Sequence, residues 1–294
     1  MGDLLVFGAP VPLLLSLLLL LVFAAAAGAL GSLLGIGGGV VLVPLFFLVF
    51  GLDIHVVIAA SLVSVIATST GAASTEMEEG FTNLRLGMFL EVATSVGGLV
   101  GAVIAVTVLA SRGQLLILVF VPVVLVAAAA MYVQRRTDVR PDVPPDRISR
   151  YLDLSGECPD PERGTVVHYA ATRTGTGLVV SAFAGVAAGL LGLGGGLFKV
   201  PAMSAVMNVP IRVAGATSTF MIGVTAAAAG LVYLIAGDVS LLVAGPAAIG
   251  TVLGSRAGAG LRHRASAPWL KEAFVVVLVV AAASMLAQAT GVLP

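Results

Sequence analysis

The sequence LLGIGGGVVLVP at residues 33–44 recurs as LLGLGGGLFKVP at residues 190–201, and this pair of glycine-rich runs decides the fold. Each run places four glycines within five residues of an apolar stretch, and each glycine costs about 1 kcal/mol relative to alanine inside a continuous helix. A proline follows five residues after each run. Both runs therefore predict a break in a helix, followed by a short second helix.

The two runs belong to a duplication that extends well beyond them. Residues 28–105 align without gaps with residues 185–262, and 22 of the 78 aligned pairs are identical. Apolar sequences match by accident, but here the glycines, the Val-Pro pairs and several hydroxyl residues coincide. We therefore predict two homologous repeats, residues 1–133 and residues 175–294, joined by a linker, residues 134–174.

The composition places the repeats in a lipid bilayer. Of 294 residues, 59% are hydrophobic and 10% are charged, against roughly 25% charged in soluble domains, and the mean hydropathy is +1.12. Fifteen basic and fifteen acidic residues leave no basic surface for nucleic acid. Apolar runs of about 20 residues span the hydrocarbon core, whereas residues 40–50 and 197–207 are too short. We predict an all-α polytopic membrane protein with short, Gly-interrupted helices at its centre.

The basic residues predict how the repeats are oriented. The first apolar run has no Lys or Arg before it, so we interpret it as a membrane segment and not as a signal peptide. If each repeat crosses the membrane an odd number of times, twelve of the Lys and Arg residues outside the spans lie on one side of the membrane, and Arg112 lies alone on the other side. This split predicts inverted repeats, with the aqueous linker in the cytoplasm and both termini outside.

The glycine runs are candidates for an anion-binding site. An unwound turn followed by a short helix presents free backbone N–H groups and the positive end of the helix dipole. Short, Gly-interrupted segments at matching positions in two halves are typical of a transporter's central site. The alternative is that the glycines only let helices pack closely. The candidate substrate-binding glycines are Gly35, Gly37, Gly38, Gly39, Gly192, Gly194, Gly195 and Gly196.

Three charged residues inside apolar segments stand out, Lys199, Glu91 and Arg256, because an ionisable group in a span is costly and usually has a partner. The first two are further site candidates. Lys199 follows Gly196 by three residues, so its ammonium group either supports the anion site or extends to the nearer membrane interface. Leu42 occupies the matching position in the first repeat. Glu91 lies about 11 Å into its helix, where it is either a proton-coupling group or a structural partner of Arg256.

Hydroxyl residues on the helix after each short segment complete the candidate site. Ser and Thr hydroxyls can donate to oxyanions, but in membranes they equally often bond to a carbonyl of their own helix or to a neighbouring helix. Three scattered histidines and the single Cys158 give no metal-binding spacing, and we expect no cofactor and no enzymatic activity. The candidate hydroxyl residues are Ser61, Ser64, Thr217, Ser218 and Thr219.

Three stretches together resemble the TauE/SafE family, also called the sulfite exporter or toluene-sulfonate uptake family. They are the duplicated glycine run with Val-Pro, ASLVSVIATSTGAA at residues 60–73, and ATSTFMIGVTAAAA at residues 216–229. The resemblance implies a bacterial or archaeal inner-membrane permease for small, often sulfur-bearing anions such as sulfite or sulfoacetate. It also implies that the family's glycine-rich turns and hydroxyl-rich stretch correspond to residues 35–39, 192–196 and 217–219.

We therefore expect a secondary transporter of small anions, of the sulfite or organosulfonate type, in the cytoplasmic membrane. Two inverted halves would hold the anion between the glycine runs, and one half would rock against the other. No nucleotide-binding motif is present, so the proton gradient or the membrane potential would drive transport. The alternative is a non-transporting membrane subunit or sensor that docks a partner through residues 134–174. The sequence leaves open whether copies assemble into a homo-oligomer.

Overall fold

The computed structural model describes residues 4–6, 9–34, 38–133, 143–160, 165–262 and 268–289, and this part of the protein is mostly helical. The first repeat contains α1 (Leu13–Leu34), α2 (Gly39–Phe50), α3 (Ile54–Glu78), α4 (Leu84–Val103) and α5 (Gly113–Val133). The linker carries α6 (Arg147–Leu152). The second repeat contains α7 (Thr174–Leu191), α8 (Gly196–Pro201), α9 (Ile211–Ala236), α10 (Leu241–Arg262) and α11 (Pro268–Ala289).

The helix lengths confirm a helical membrane protein with several spans. Among the described residues, six helices are long and apolar enough to cross a bilayer, namely α1, α3, α4, α7, α9 and α10. The helices after the glycine runs are short, as predicted: Gly39–Phe50 in the first repeat and Gly196–Val206 in the second. The second of these ends in a π-helical turn, and so does α4.

The prediction of an all-α protein is wrong in one respect, because two β-hairpins are present. One pairs β1 (Leu4–Val6) with β2 (Ala9–Val11), and the other pairs β3 (Gly156–Asp160) with β4 (Thr165–Tyr169) inside the linker. The sequence of β4, TVVHY, is rich in β-branched and aromatic residues, which favour strands. Lying outside the apolar segments, such strands can leave their free edges to water.

The helices of the two repeats interlock. Helix α1 packs on α10 just as α7 packs on α4, and α3 contacts α10 just as α9 contacts α4. The equivalent helices α3 and α9 also contact each other, as do α5 and α11. The most extensive contacts therefore join helices from different repeats. Each of these contacts recurs between the equivalent helices when the two repeats are interchanged.

Glycines bring the backbones of α1 and α10 into direct contact. A Cβ atom at Gly254 would overlap the carbonyl group of Ala25, and one at Gly258 would overlap that of Ala29. Small residues allow this close approach between membrane helices. Because the order of contacts is the same along both helices, α1 and α10 run parallel. At Gly254 and Gly258, glycine therefore serves to let two helices pack closely.

The equivalent pair, α7 and α4, is built in the same way. Added Cβ atoms at Gly185 and Gly189 would overlap the carbonyl oxygens of Thr94 and Gly98. The order of these contacts makes α7 and α4 parallel as well. With backbone against backbone, neither pair can slide without separating its helices.

Helices α3 and α9 form the contact between these two pairs and run in opposite directions. Ser69, in the second half of α3, meets Gly223 in the first half of α9. Leu62, two turns earlier in α3, lies instead beside Gly230, two turns further along α9. The two equivalent helices are therefore antiparallel.

The linker docks onto the start of α4 through Asn83. The Asn83 side chain accepts a hydrogen bond from the N–H of Leu86 at 3.0 Å, which caps α4. Its Nδ2 donates to the carbonyl oxygen of Leu154 and to the hydroxyl of Tyr169, both at 2.9 Å. Burial raises the pKa of Tyr169 to about 12, and the bond from Asn83 opposes this only in part. Asn83 thus joins two parts of the linker, at Leu154 and at Tyr169, to the start of α4.

A second docking point ties the linker to α7. Asp146 caps α6 by accepting from the N–H of Ser149, and it also accepts from the N–H and the hydroxyl of Thr174, all at 2.7 Å. Burial raises the pKa of Asp146, but these three hydrogen bonds outweigh it and hold the pKa below its usual value. The charged carboxylate therefore favours the docked linker.

Replacing Gly189 with Ala should destabilise the protein far more than replacing Gly215 with Ala. The first Cβ would overlap the backbone of α4, whereas the second would meet nothing within 4 Å. We expect a loss of about 1–3 kcal/mol for Gly189→Ala and a change within about 1 kcal/mol for Gly215→Ala. Thermal unfolding in detergent measures both, and equal melting temperatures would contradict the backbone contact.

Asp146→Asn should lower the melting temperature at neutral pH and have a smaller effect in acid. Because the folded pKa lies below the unfolded value, the stabilisation is present above about pH 4 and is lost as the pH falls through the folded pKa. Melting temperatures of the wild type and the variant between pH 3 and 7 should therefore converge at the acid end. A difference that is independent of pH would rule out a contribution from the carboxylate charge.

Candidate functional site

The two helix breaks meet inside the protein. A Cβ atom at Gly39, the first residue of α2, would lie 2.7 Å from the carbonyl oxygen of Gly192 and 2.9 Å from the hydroxyl oxygen of Ser61. Gly35 and Gly37 lie outside the described residues. In the described part of the chain, the end of the first glycine run thus rests directly on the start of the second.

Ser61 on α3 holds both breaks. Its hydroxyl oxygen lies 2.8 Å from the carbonyl oxygen of Gly192 and 3.4 Å from that of Gly39. Ser61 is completely buried. A carbonyl released at a helix end needs a donor when no water is available. The shorter bond therefore supplies the Gly192 carbonyl with a partner that its own helix lacks.

The second glycine run requires glycine for its backbone conformation. Gly192, Gly194 and Gly195 have φ angles of 71°, 68° and 78°, and the backbone of residues with a side chain rarely adopts such angles. A Cβ atom at Gly194 would also lie 2.8 Å from a methyl group of Ile222. All residues from 192 to 196 are buried. The turn is therefore specified by its backbone and is enclosed by neighbouring side chains in this conformation.

A buried ion pair lies one helical turn beyond this break. The Lys199 ammonium group on α8 lies 3.6 Å from a carboxylate oxygen of Glu91 and donates to the Thr225 hydroxyl at 2.8 Å. The Glu91 carboxylate also accepts from Thr225 at 2.8 Å, from Thr94 at 2.7 Å and from Ser95 at 2.6 Å. A buried ion pair needs such additional hydrogen bonds to offset its loss of hydration. These five residues form the polar cluster.

The geometry of the polar cluster excludes two alternatives that the sequence left open, an interfacial Lys199 and a pairing of Glu91 with Arg256. Lys199 is fully buried and so does not extend to a membrane interface. Glu91 pairs with Lys199, whereas Arg256 is exposed on α10. The Arg256 pairing was therefore wrong, because interhelical packing brings the short helix of the second repeat against α4.

The polar cluster packs against the turn at the second break through the side chain of Lys199. A Cβ atom at Gly195 would lie 3.3 Å from the Cε atom of Lys199 and 3.1 Å from the carbonyl oxygen of Ala184. The aliphatic part of the lysine therefore packs over the turn.

The candidate hydroxyl residues have different surroundings. Ser64 bonds to the carbonyl of Ala60 and Thr219 to that of Gly215, both in their own helices. The Thr217 hydroxyl accepts from the N–H of Asn83 at the start of α4, and not from either break. Of these candidates, the structure brings Ser61 alone into hydrogen-bonding contact with the described part of the breaks.

Ser218 is the aligned counterpart of Ser61 and is fully buried. Its hydroxyl has no hydrogen-bond partner among the described residues. The aligned counterpart of the Ser61 acceptor, Gly192, is Gly35, which lies outside those residues. Ser218 also lies seven residues before Thr225, so both project from one face of α9.

Sequence reasoning missed Thr94 and Ser95 as members of the polar cluster, and it treated Thr225 only as one of the hydroxyl residues on the helix after the second break. Thr94 and Ser95 follow Glu91 by three and four residues, a spacing that places their hydroxyls beside its carboxylate on one helical face. That spacing could have identified them. Thr225 aligns with Thr68 of the first repeat, and nothing in this match indicates that only Thr225 contacts charged groups.

The duplication provides two equivalent sets of positions, and only one of them carries the residues of the polar cluster. The positions that align with Lys199 and Glu91 carry Leu42 and Ala248. Thr68, which aligns with Thr225, bonds only to carbonyl groups of its own helix. The duplication therefore preserved the breaks in both repeats, whereas the charges are present in only one place.

Comparison with known proteins extends this description. A family model described as sulfite exporter TauE/SafE matches residues 20–285. The chain belongs to the TauE/SafE family. A Bacillus subtilis (strain 168) relative, the probable membrane transporter protein YunE, is 25% identical over 277 residues, which cover 90% of this chain and 95% of the relative. No solved structure matches.

Family membership confirms the resemblance and gives the general function of this TauE/SafE protein. It is a multi-pass membrane transporter. Neither match supports the alternative of a non-transporting subunit or sensor that docks a partner through residues 134–174.

Ser61→Ala should destabilise the protein more than Ser64→Ala. The first change leaves the buried Gly192 carbonyl without its donor, at a cost of about 1–3 kcal/mol. The second removes only a bond to a carbonyl of the same helix, and we expect a change within about 0.5 kcal/mol. Unfolding in detergent compares the two variants. Equal losses would mean that Ser61 does not hold the breaks together.

Proposed function

We propose that this TauE/SafE protein is a secondary transporter of small anions, of the sulfite or organosulfonate type, in the cytoplasmic membrane. The observation that carries the proposal is the contact between the two helix breaks, with the ammonium group of Lys199 one turn away. A break supplies backbone N–H groups to an anion, and a buried cation adds charge in a medium of low polarity.

The proposed substrate site lies where the two glycine runs meet at Gly39 and Gly192, beside Ser61 and Lys199. Ser218 is a further candidate donor from the same helix as Thr225. The hydroxyls of Ser64, Thr217 and Thr219 have other partners in this conformation, so they would contact substrate only if those hydrogen bonds break. Because the described part of the site is enclosed, entry of an anion would require the packing around the breaks to open.

We propose that the repeats are inverted, with the linker in the cytoplasm and both termini outside. The antiparallel contact between the equivalent helices α3 and α9 supports inversion. The distribution of twelve basic residues against one supports the orientation. The described part of the linker contacts helices of both repeats at Asn83 and Thr174, which supports a structural role for residues 134–174.

Interlocking of the repeats supports a particular movement. Rocking of one repeat against the other would separate α1 from α10 and α4 from α7, where backbones touch. Movement of the α1 and α10 pair against the α4 and α7 pair keeps both contacts. The interface between α3 and α9, beside the breaks, then opens and closes. We expect alternating access to use these mixed units.

Gly39→Ala should abolish anion transport, whereas Gly215→Ala should retain it. A Cβ atom at Gly39 would press on Gly192 and Ser61, but at Gly215, which lies outside the proposed site, it would meet nothing within 4 Å. Counterflow of radiolabelled sulfite, sulfoacetate, methanesulfonate and sulfate into proteoliposomes measures transport. We expect at least a tenfold loss for Gly39→Ala, which corresponds to about 1.4 kcal/mol.

The matched variant Gly215→Ala controls for expression and insertion, and size-exclusion chromatography checks that both variants fold. Normal counterflow in folded Gly39→Ala would remove the breaks from the transport site. Absence of counterflow for every anion in the wild-type protein would remove the proposed substrate class.

A further inference from the structure

The Glu91 carboxylate occupies the position that an oxyanion substrate would need. One of its oxygens lies 3.6 Å from the Lys199 ammonium nitrogen, and the two oxygens together receive hydrogen bonds from three hydroxyls. A sulfonate group likewise carries one negative charge on oxygens that accept hydrogen bonds. The buried cation next to the break is therefore already neutralised by an anion that belongs to the protein.

Among the described residues, no other charged side chain faces this ion pair. Helix α7 contains no ionisable residue, and Lys199 is the only charged residue of the short helix Gly196–Val206. Arg212 of α9 is exposed near the start of that helix. Arg85 of α4 is exposed and pairs with Asp153 of the linker. Tyr233 of α9 bonds to the Gly189 carbonyl, two turns beyond Thr225.

These neighbours fix the charge balance of the polar cluster. If Glu91 takes up a proton, Lys199 keeps a buried positive charge with no protein counter-charge, which is strongly unfavourable. One monoanion would restore the balance. If Glu91 is ionised, a bound anion would instead give the cluster an excess negative charge. Protonation of Glu91 and binding of one monoanion are therefore favourable only together.

We propose that Glu91 and the transported anion compete for Lys199, so that one proton and one monoanion cross the membrane together. The proton passes from water to a Glu91 carboxylate oxygen, and the neutral acid releases Lys199 to an oxygen of the anion. On the other side the anion leaves, Glu91 returns its proton to water, and the ion pair forms again. No covalent bond other than this O–H bond changes. This inference rests on the proposed anion transport.

Thr225 is the positioning residue in this exchange. Its hydroxyl accepts from Lys199 and donates to Glu91, so it can hold the ammonium group in place while the carboxylate leaves. The aligned Thr68 has no charged partner and provides a matched control. We expect Thr225→Val to weaken the coupling between proton and anion fluxes, and Thr68→Val to leave it unchanged.

Methanesulfonate is the suitable probe, because it remains a monoanion at every assay pH and any pH dependence belongs to the protein. Wild-type protein in proteoliposomes should accumulate radiolabelled methanesulfonate about tenfold for an inward proton gradient of one pH unit. A membrane potential set with potassium and valinomycin should have no effect, since the two charges cancel. Accumulation that follows the potential and not the pH gradient would overturn the proposal.

Glu91→Gln separates the proposed coupling role from a structural role. The variant should still exchange methanesulfonate across the membrane, but it should lose accumulation driven by the pH gradient, and its exchange should not vary with pH. Proton-driven accumulation equal to the wild type would overturn the proposal. Thr225→Val should reduce accumulation more than exchange, and Thr68→Val should change neither; equal behaviour of these two variants would remove the role of Thr225.

A double variant covers the case in which Glu91→Gln does not fold. Glu91→Gln with Lys199→Met removes both charges and leaves no unpaired buried ion. If the ion pair is only structural, this double variant should fold and accumulate methanesulfonate, which would overturn the proposal. We expect a folded protein without methanesulfonate flux. Wild-type protein that carries sulfite but not methanesulfonate would refute the monoanion exchange and leave the proposed anion transport intact.

Discussion

The hydrogen bond from Ser61 to the Gly192 carbonyl is the interaction on which the rest of the structure depends. Inside a bilayer, every backbone polar group needs a partner within the protein, so an interrupted helix survives only where other elements supply one. Ser61 belongs to α3 of the first repeat, whereas Gly192 ends α7 of the second. Each repeat is therefore incomplete without the other, and the interlocked packing of α1 with α10 and of α4 with α7 follows the same logic.

The duplication has two separate consequences. Its glycines preserve the backbone contacts and the breaks, because a side chain would be strained at the positive φ angles of Gly192, Gly194 and Gly195 and would overlap the neighbouring backbone where two helices touch. Its side chains at the short helices have diverged, with Lys199 in one repeat and Leu42 in the other. The scaffold thus remains nearly symmetric while the charged chemistry is concentrated beside α8. A single ion pair then faces a site formed by both halves.

Much of the fold could be predicted from the sequence because its causes are local. Glycine runs predict breaks, and apolar length predicts spans, so the short helices after Gly38 and Gly195 were expected. The partner of Glu91 could not be predicted, because Lys199 lies in the other repeat and only packing brings them together. The partner of Thr217 could not be predicted for the same reason: its hydroxyl accepts a hydrogen bond from the N–H of Asn83 at the start of α4, in the other repeat. The linker hairpin is local, and its strand-forming residues at 165–169 could have revealed it.

An experimental map of the protein with bound bromomethanesulfonate would locate the anion, because bromine marks its position. We expect the anion beside the turn at residues 192–196, with a sulfonate oxygen about 3 Å from the ammonium nitrogen of Lys199. We also expect the Glu91 carboxylate to have moved away from that nitrogen. Bromine in the apolar groove between α4 and α7, lined by Val96 and Ala182, with the Ser61 bond and the ion pair intact, would contradict both the proposed site and the exchange at Lys199.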